Sequence, residues 1–128
     1  MLKGIHHVAI ICSDYQKSKD FYVGILGLKI VAENYREHRN SYKLDLALPD
    51  GSQIELFSFT GSPKRPSYPE AQGLRHLAFA VDDIEQVTEQ LKRHGVTMEA
   101  IRIDEYTGKK FTFFSDPDGL PLELYQQC

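Results

Sequence analysis

Two histidines and two glutamates recur at matching places in the two halves of this chain. The repeat pairs GIHHVA at 4–9 with GLRHLA at 73–78, and PDGSQIEL at 49–56 with PDGLPLEL at 117–124. Each half therefore supplies one imidazole and one carboxylate, His7 with Glu55 and His76 with Glu123. Two nitrogen and two oxygen donors suit a divalent metal, so the repeat predicts one metal centre made from all four residues.

Each of these residues also has a simpler interpretation when taken alone. A single histidine on a strand is more often a packed or surface residue, and a glutamate between apolar neighbours can face water or pair with an arginine. A buried carboxylate is destabilising unless it is paired or binds a metal. The joint recurrence of both residue types at equivalent positions favours the metal site over coincidence.

The elements that must position these residues follow the same duplicated pattern. Alternating apolar residues predict strands, and Asp14 and Asp83 are suited to begin helices that Gly27 and Gly95 end. The predicted strands lie at 4–12, 28–35, 42–48 and 52–59, and then at 73–81, 97–103, 110–115 and 120–126. Each half reads βαβββ, which indicates an α+β fold with an open, curved, mixed and mainly antiparallel sheet that forms a cup.

Length and composition limit the remaining choices. The 128 residues fit one domain, 1–128, with modules 1–60 and 72–128 joined by a proline-rich connector at 61–71. A net charge of −3 argues against a general nucleic-acid binder. We expect no membrane association, because no apolar run has the length of a membrane span. The N-terminus lacks a signal-peptide pattern, so a cytoplasmic protein is expected.

Several motifs resemble one known family over nearly the whole chain. They are HVAI at 7–10 with Asp14, LGL at 26–28, IEL at 54–56, HLAF at 76–79 and DPDG at 116–119. The chain resembles the vicinal oxygen chelate superfamily of glyoxalase I, bleomycin resistance proteins and dioxygenases, and within it the YaeR-like, glyoxalase I-like bacterial proteins. The resemblance implies paired βαβββ modules around a metal, a small-molecule substrate and a homodimer, and the open sheet edges also favour a dimer.

The same resemblance implies roles for the four repeated residues. His7, Glu55, His76 and Glu123 match the metal positions of glyoxalase I, whose bacterial members favour nickel or cobalt while others use zinc. Mixed N/O ligation by itself also fits manganese or iron. The family stabilises an enediolate of an α-hydroxy or α-keto carbonyl substrate, and Glu123 is the preferred catalytic base. Glu55 and a water molecule on the metal are the competing candidates.

Other residues bear on the substrate. Where bacterial glyoxalase I has an Arg and an Asn that contact glutathione, this chain has Ile11 and Phe59, so glutathione is not the expected substrate. The aromatic residues on the glutamate face can form a wall beside the metal or simply fill the core. Cationic side chains outside the core pattern are either solvated loop residues or candidates to bind a substrate carboxylate or phosphate, and they are Arg36, Arg39, Arg65, Arg102 and Lys109. The predicted substrate-binding set is Phe57, Phe59, Tyr125, Arg36 and Arg102.

Three functional classes fit these features. The preferred one is a metal-dependent lyase or isomerase of the glyoxalase I type. An Fe(II) dioxygenase needs only two His and one carboxylate, so the fourth ligand counts against it. A non-enzymatic, resistance-type protein that binds a small molecule is the third, and members of that kind generally lack the ligands that this chain keeps.

Overall fold

The computed structural model describes residues 1–127, and residue 128, the last of the expected domain, lies outside the described residues. The chain divides into two compact units, Met1–Lys64 and a second that begins at Arg65. Each unit holds one four-stranded sheet and shows the predicted βαβββ order. The α+β class with mixed sheets is therefore confirmed. None of the helices in residues 1–127 is long and apolar enough to cross a bilayer.

The first unit runs from strand to helix to three further strands. Its elements are β1 (His7–Cys12), α1 (Tyr15–Lys19) with a π-helical continuation (Asp20–Ile25), β2 (Lys29–Arg36), a 3-10 turn (Glu37–Arg39), β3 (Ser41–Ala47) and β4 (Gln53–Ser58). The sheet order is β1-β4-β3-β2, with β1 parallel to β4 and the other pairs antiparallel. Asp14 begins the helix, since its side chain accepts the Lys17 N–H, and Gly27 follows it with a φ of +79°.

Strand alternation separates a core face from an open face in this unit. Ile10 and Cys12 of β1 are buried, whereas Ile11 between them is 52% exposed. Leu44, Leu46 and other core residues lie on the buried face, and α1 packs against β4. The face that carries His7 is therefore the open one, as the alternation predicts.

The second unit repeats the order in β5 (Leu77–Val81), α2 (Ile84–Arg93), β6 (Arg102–Ile103), β7 (Lys110–Ser115) and β8 (Pro121–Gln126). The sheet order is β5-β8-β7-β6, and β5 runs parallel to β8. Asp83 begins α2 by accepting the Gln86 N–H, and Ile84 and Leu91 bury one face of that helix. Gly95 follows the helix with a φ of +82°.

Two strands in this unit are shorter than predicted, and side chains explain both. The strand predicted at 97–103 forms a regular ladder only at Arg102–Ile103. At Glu99 the backbone N–H still donates to the Phe113 carbonyl at 3.0 Å, but the Glu99 carbonyl accepts from the buried Thr112 hydroxyl at 2.8 Å instead of from a ladder N–H. The strand predicted at 73–81 begins at Leu77. Its earlier carbonyls, at Leu74 and Arg75, accept hydrogen bonds from the Arg65 guanidinium instead.

Candidate metal centre

The first unit brings His7 and Glu55 together on its open face. Because β1 and β4 are parallel with Ala9 opposite Glu55, the His7 side chain projects from the strand beside the one that carries the carboxylate. The distance from His7 Nε2 to Glu55 Oε2 is 3.5 Å. The imidazole is 39% exposed and the carboxylate 15%, so both groups are accessible at the sheet surface.

The second unit reproduces this arrangement. Ala78 lies opposite Glu123 in the parallel pairing of β5 with β8, and His76 stands just before β5. The distance from His76 Nε2 to Glu123 Oε1 is 3.4 Å, with the two side chains 26% and 12% exposed. We call each His and Glu pair a half-site.

The geometry of each half-site fits two ligands of one cation. Donor atoms about 2.1 Å from a metal and in neighbouring octahedral positions lie about 3 Å apart, close to the two distances observed. In both pairs the ring nitrogen facing the carboxylate is Nε2. Within residues 1–127 no three His, Cys, Asp or Glu side chains cluster closely enough to hold a metal ion.

The other ring nitrogen of each histidine has a neighbour from the preceding residue. His6 Nδ1 lies 2.9 Å from His7 Nδ1, and Arg75 Nη1 lies 3.4 Å from His76 Nδ1. Partners at Nδ1 orient an imidazole and affect which nitrogen carries the proton. Strand alternation predicts that Arg75 points away from His76. The side chain is 66% exposed and pairs with Glu70, yet it also reaches that ring.

Charged side chains surround the half-site of the first unit. The Lys43 ammonium lies 2.7 Å from Asp45 Oδ1 and 3.8 Å from Glu55 Oε2. The hydrogen bond to Asp45 raises the pKa of Lys43, burial opposes this, and the charge of Glu55 supports it. The sequence interpretation missed both residues. Their alternation with the buried Leu44 and Leu46 was the available signal, because it places them on the face of Glu55.

Aromatic rings occupy the matching positions of the second unit. Phe113 lies opposite Glu123 as Asp45 lies opposite Glu55, and Phe111 likewise matches Lys43. The Phe113 ring stands edge-on to the His76 ring, with centroids 5.0 Å apart. The two half-sites therefore keep the same pair of candidate ligands in different surroundings, one charged and one aromatic.

Three predicted substrate residues lie together in the first unit. The Arg36 guanidinium lies over the Phe57 ring, 4.9 Å from its centroid, and 5.8 Å from that of Phe59. The two rings are parallel, with centroids 5.8 Å apart. These residues form an aromatic surface with a cation on it, beyond Glu55 along the same face of β4.

The other two lie in the second unit. Arg102 and Glu123 line a cavity of about 410 Å³, and the guanidinium lies 4.9 Å from the Phe111 centroid. Tyr125 donates a hydrogen bond of 3.0 Å to Asp104, another cavity residue, and its hydroxyl lies 2.5 Å from that of Thr107. Tyr125 thus ties the segment after β6 to β8.

Comparison with known proteins identifies the family. The model of the Glyoxalase/Bleomycin resistance protein/Dioxygenase superfamily matches residues 4–124, which include both half-sites. The chain belongs to this superfamily. Within it, the chain is 60% identical over 126 residues to protein YaeR of Escherichia coli (98% of each chain), and 58% identical over 127 residues to protein YwkD of Bacillus subtilis (99% of each).

A solved structure and a more distant relative agree with this assignment, and a third protein shares the fold. A glyoxalase family protein from Enterococcus faecalis superposes with a TM-score of 0.90 at 54% identity, over 96% of this chain and 97% of that one. A lactoylglutathione lyase of E. coli O157:H7 is 30% identical over 129 residues, covering 94% of this chain and 90% of that enzyme. A fosfomycin resistance protein from Listeria monocytogenes, at 21% identity and a TM-score of 0.78, shares the fold.

Replacing Tyr125 with Phe tests the link between β8 and the segment after β6. The Tyr106 N–H and then the Tyr125 hydroxyl hold the pKa of Asp104 below its usual value. The Tyr125→Phe variant should raise the pKa of Asp104 only part of the way to its usual value, because the Tyr106 N–H still donates to the carboxylate. A carboxyl group whose pKa is lower in the folded than in the unfolded state stabilises the protein at pH values above its unfolded pKa. That stabilisation is lost as the pH falls through the folded-state pKa. The Tyr125→Phe variant should therefore lose less stability on acidification than the unaltered protein.

Carboxyl-carbon NMR titration of Asp104 measures this shift directly. Tyr106→Phe is the matched control, because it removes an exposed hydroxyl and leaves the Tyr106 N–H in place. An Asp104 titration that is the same in the Tyr125 variant and the unaltered protein would contradict the assigned hydrogen bond.

Proposed function

We propose that the protein is a metal-dependent lyase or isomerase of the glyoxalase I type that acts on a small α-hydroxy or α-keto carbonyl compound. The observation that carries this proposal is the duplicated half-site, in which a His Nε2 and a Glu carboxylate lie at nearly equal distances in both units. The proposed metal ligands are His7, Glu55, His76 and Glu123. Nickel, cobalt or zinc is the proposed cation. A bound divalent cation would act as a Lewis acid that polarises two neighbouring substrate oxygens and acidifies the adjacent C–H bond.

The surroundings of the two glutamates favour Glu123 as the base. Glu55 has the Lys43 ammonium 3.8 Å away, and this ionic contact holds its carboxylate in place. Among the described residues, no Lys or Arg is in salt-bridge contact with Glu123. Its carboxylate is thus freer to turn toward a substrate C–H and accept the proton, and the Phe113 ring beside His76 limits water there.

The substrate half of the proposed site is poorly suited to glutathione. Ile11 is 52% exposed on the open face of β1, and Phe59 lies under Arg36, so neither position offers a neutral polar partner to a tripeptide. Proteins of this fold also include a TnmS3 antibiotic binding protein from Streptomyces and the fosfomycin resistance protein. Metal analysis separates the proposed enzyme from a protein that only binds a small molecule.

Replacement of His76 by Ala should remove most of the bound metal. Three remaining ligands hold a cation poorly, so metal content should fall about tenfold or more. Elemental analysis of protein purified without an affinity tag measures this. His94→Ala is the control, since His94 ends α2 and hydrogen-bonds the Gln90 carbonyl. Equal metal content in the His76 variant and the unaltered protein would refute the site.

Replacement of Glu123 by Gln should lower turnover by about a hundredfold or more while most of the metal stays bound. The amide keeps the shape and one oxygen ligand but accepts a proton poorly. Entry of solvent deuterium into α-hydroxy carbonyl compounds measures the step, with the exposed Glu89→Gln on α2 as the control. Fast turnover of the methylglyoxal and glutathione hemithioacetal, at about 10⁶ M⁻¹s⁻¹ or above, would contradict the expectation that the substrate is not a glutathione adduct.

We also propose that the protein is a homodimer. Ile30 and Val31 are exposed on the edge strand β2, and Ile103 is exposed on the edge strand β6. Apolar edge strands tend to be covered by another chain. Light scattering should give twice the chain mass of 14.6 kDa. A monomer at micromolar concentration would contradict the proposal.

A further inference from the structure

Arg36 is the last residue of β2, and its half-buried guanidinium is fixed on the open face of the first unit. It lies within cation–π distance of both Phe57 and Phe59, at 4.9 and 5.8 Å from the ring centroids. Its Nη2 donates to Ser41 Oγ at 3.1 Å. Nε is buried and has no hydrogen-bond partner among the described residues. The guanidinium is therefore held in place, and it keeps N–H groups that have no partner among the described residues.

The charge of Arg36 is not compensated in the part of the chain that the structure describes, where no carboxylate lies in salt-bridge contact with it. Other cations near the half-sites differ in this respect. Lys43 pairs with Asp45 at 2.7 Å, and Arg102 lies 3.6 Å from Glu99. The cavity that Arg102 lines is also rich in carboxylates, from Asp104, Glu105 and Glu123.

From this difference we propose that the Arg36 guanidinium, which the buried Ser41 hydroxyl holds in place, is an oxyanion subsite, and that the substrate carries a carboxylate or phosphate group that binds there. The inference rests on the proposed function, because it gives a binding site to the end of the substrate that lies away from the reacting carbonyl group. The carbonyl group would lie beside Glu55. A planar guanidinium suits both anions, since two of its N–H groups can meet two oxygens. Arg102, which the sequence also suggests, is less suited to this role because Glu99 already lies 3.6 Å from its guanidinium.

The position of the subsite limits the length of the substrate. Phe57 follows Glu55 by two residues on the same face of β4, and two residues of a strand span about 7 Å. Arg36 lies over Phe57. A ligand that reaches from the carboxylate to the guanidinium therefore needs a short chain of a few bonds between its paired oxygens and its anionic group.

Matched hydroxamic acids test the subsite by binding rather than by turnover. A hydroxamate supplies two neighbouring oxygens for a metal. N-hydroxysuccinamic acid adds a carboxylate after two methylene groups, and its terminal amide has the same shape without the charge. Calorimetry on metal-loaded protein should show that the acid binds more tightly than its amide by about tenfold or more. Longer homologues and a phosphonate analogue show which spacing and which anion fit best.

Variants at Arg36 assign any preference to that residue. Arg36→Gln should abolish the difference between acid and amide while both still bind, and Arg36→Lys should restore part of it. Arg93→Gln, an exposed residue at the end of α2, is the control for loss of one positive charge. Thermal unfolding confirms that each variant is folded. Retention of the full preference in Arg36→Gln would overturn the assignment.

A second measurement separates this inference from the metal site. Titration of metal-free protein with inorganic phosphate, at constant ionic strength against chloride, should shift the NMR signal of the Arg36 Nε–H. If that shift occurs but neither hydroxamate binds, the subsite stands and the proposed function fails. If both hydroxamates bind equally and phosphate gives no shift, the proposed metal site is supported and the oxyanion subsite is refuted.

Discussion

The parallel pairing of β1 with β4, and of β5 with β8, determines where every candidate ligand lies. A parallel pair joins the first and last strands of each βαβββ unit, so residues about 50 apart in sequence become neighbours in the sheet. The register places an alanine opposite each glutamate, Ala9 at Glu55 and Ala78 at Glu123. These small side chains leave room for the imidazole to reach the carboxylate. A shift of one residue would turn both carboxylates into the core.

The central antiparallel strands then give each half-site its own environment. The positions opposite Glu55 and Phe57 hold Asp45 and Lys43, whereas the equivalent positions of β7 hold Phe113 and Phe111. The Lys43 ammonium beside the Glu55 carboxylate holds that carboxylate in place, whereas the aromatic rings beside Glu123 make no ionic contact with it. The duplicated fold thus conserves the geometry of the ligands in both units while the flanking strands differ in chemistry.

Strand alternation and the internal repeat were enough to predict which face carries His7, Glu55, His76 and Glu123, because both can be seen directly in the order of residues along the chain. Features that depend on side chains reaching across the structure were not predictable in this way. The Thr112 hydroxyl donates to the Glu99 carbonyl in place of a ladder N–H, and Arg65 binds the carbonyls before β5, so both strands are shorter than their apolar patterns. Nor does the sequence distinguish Arg36 from Arg102, because the difference lies in which carboxylates come near each guanidinium.

The surroundings of Glu123 are an energetic argument for a cation beside it. The side chain is only 12% exposed, its salt-bridge partner among the described residues is His76, and Phe113 packs against that imidazole. Loss of hydration around a carboxylate is destabilising unless a positive charge replaces the water. The exposed Arg75 guanidinium beyond the His76 ring supplies part of that charge, and a divalent ion held by His76 and Glu123 would supply more of it at close range. The same reasoning applies less strongly to Glu55, because Lys43 already provides part of the compensation.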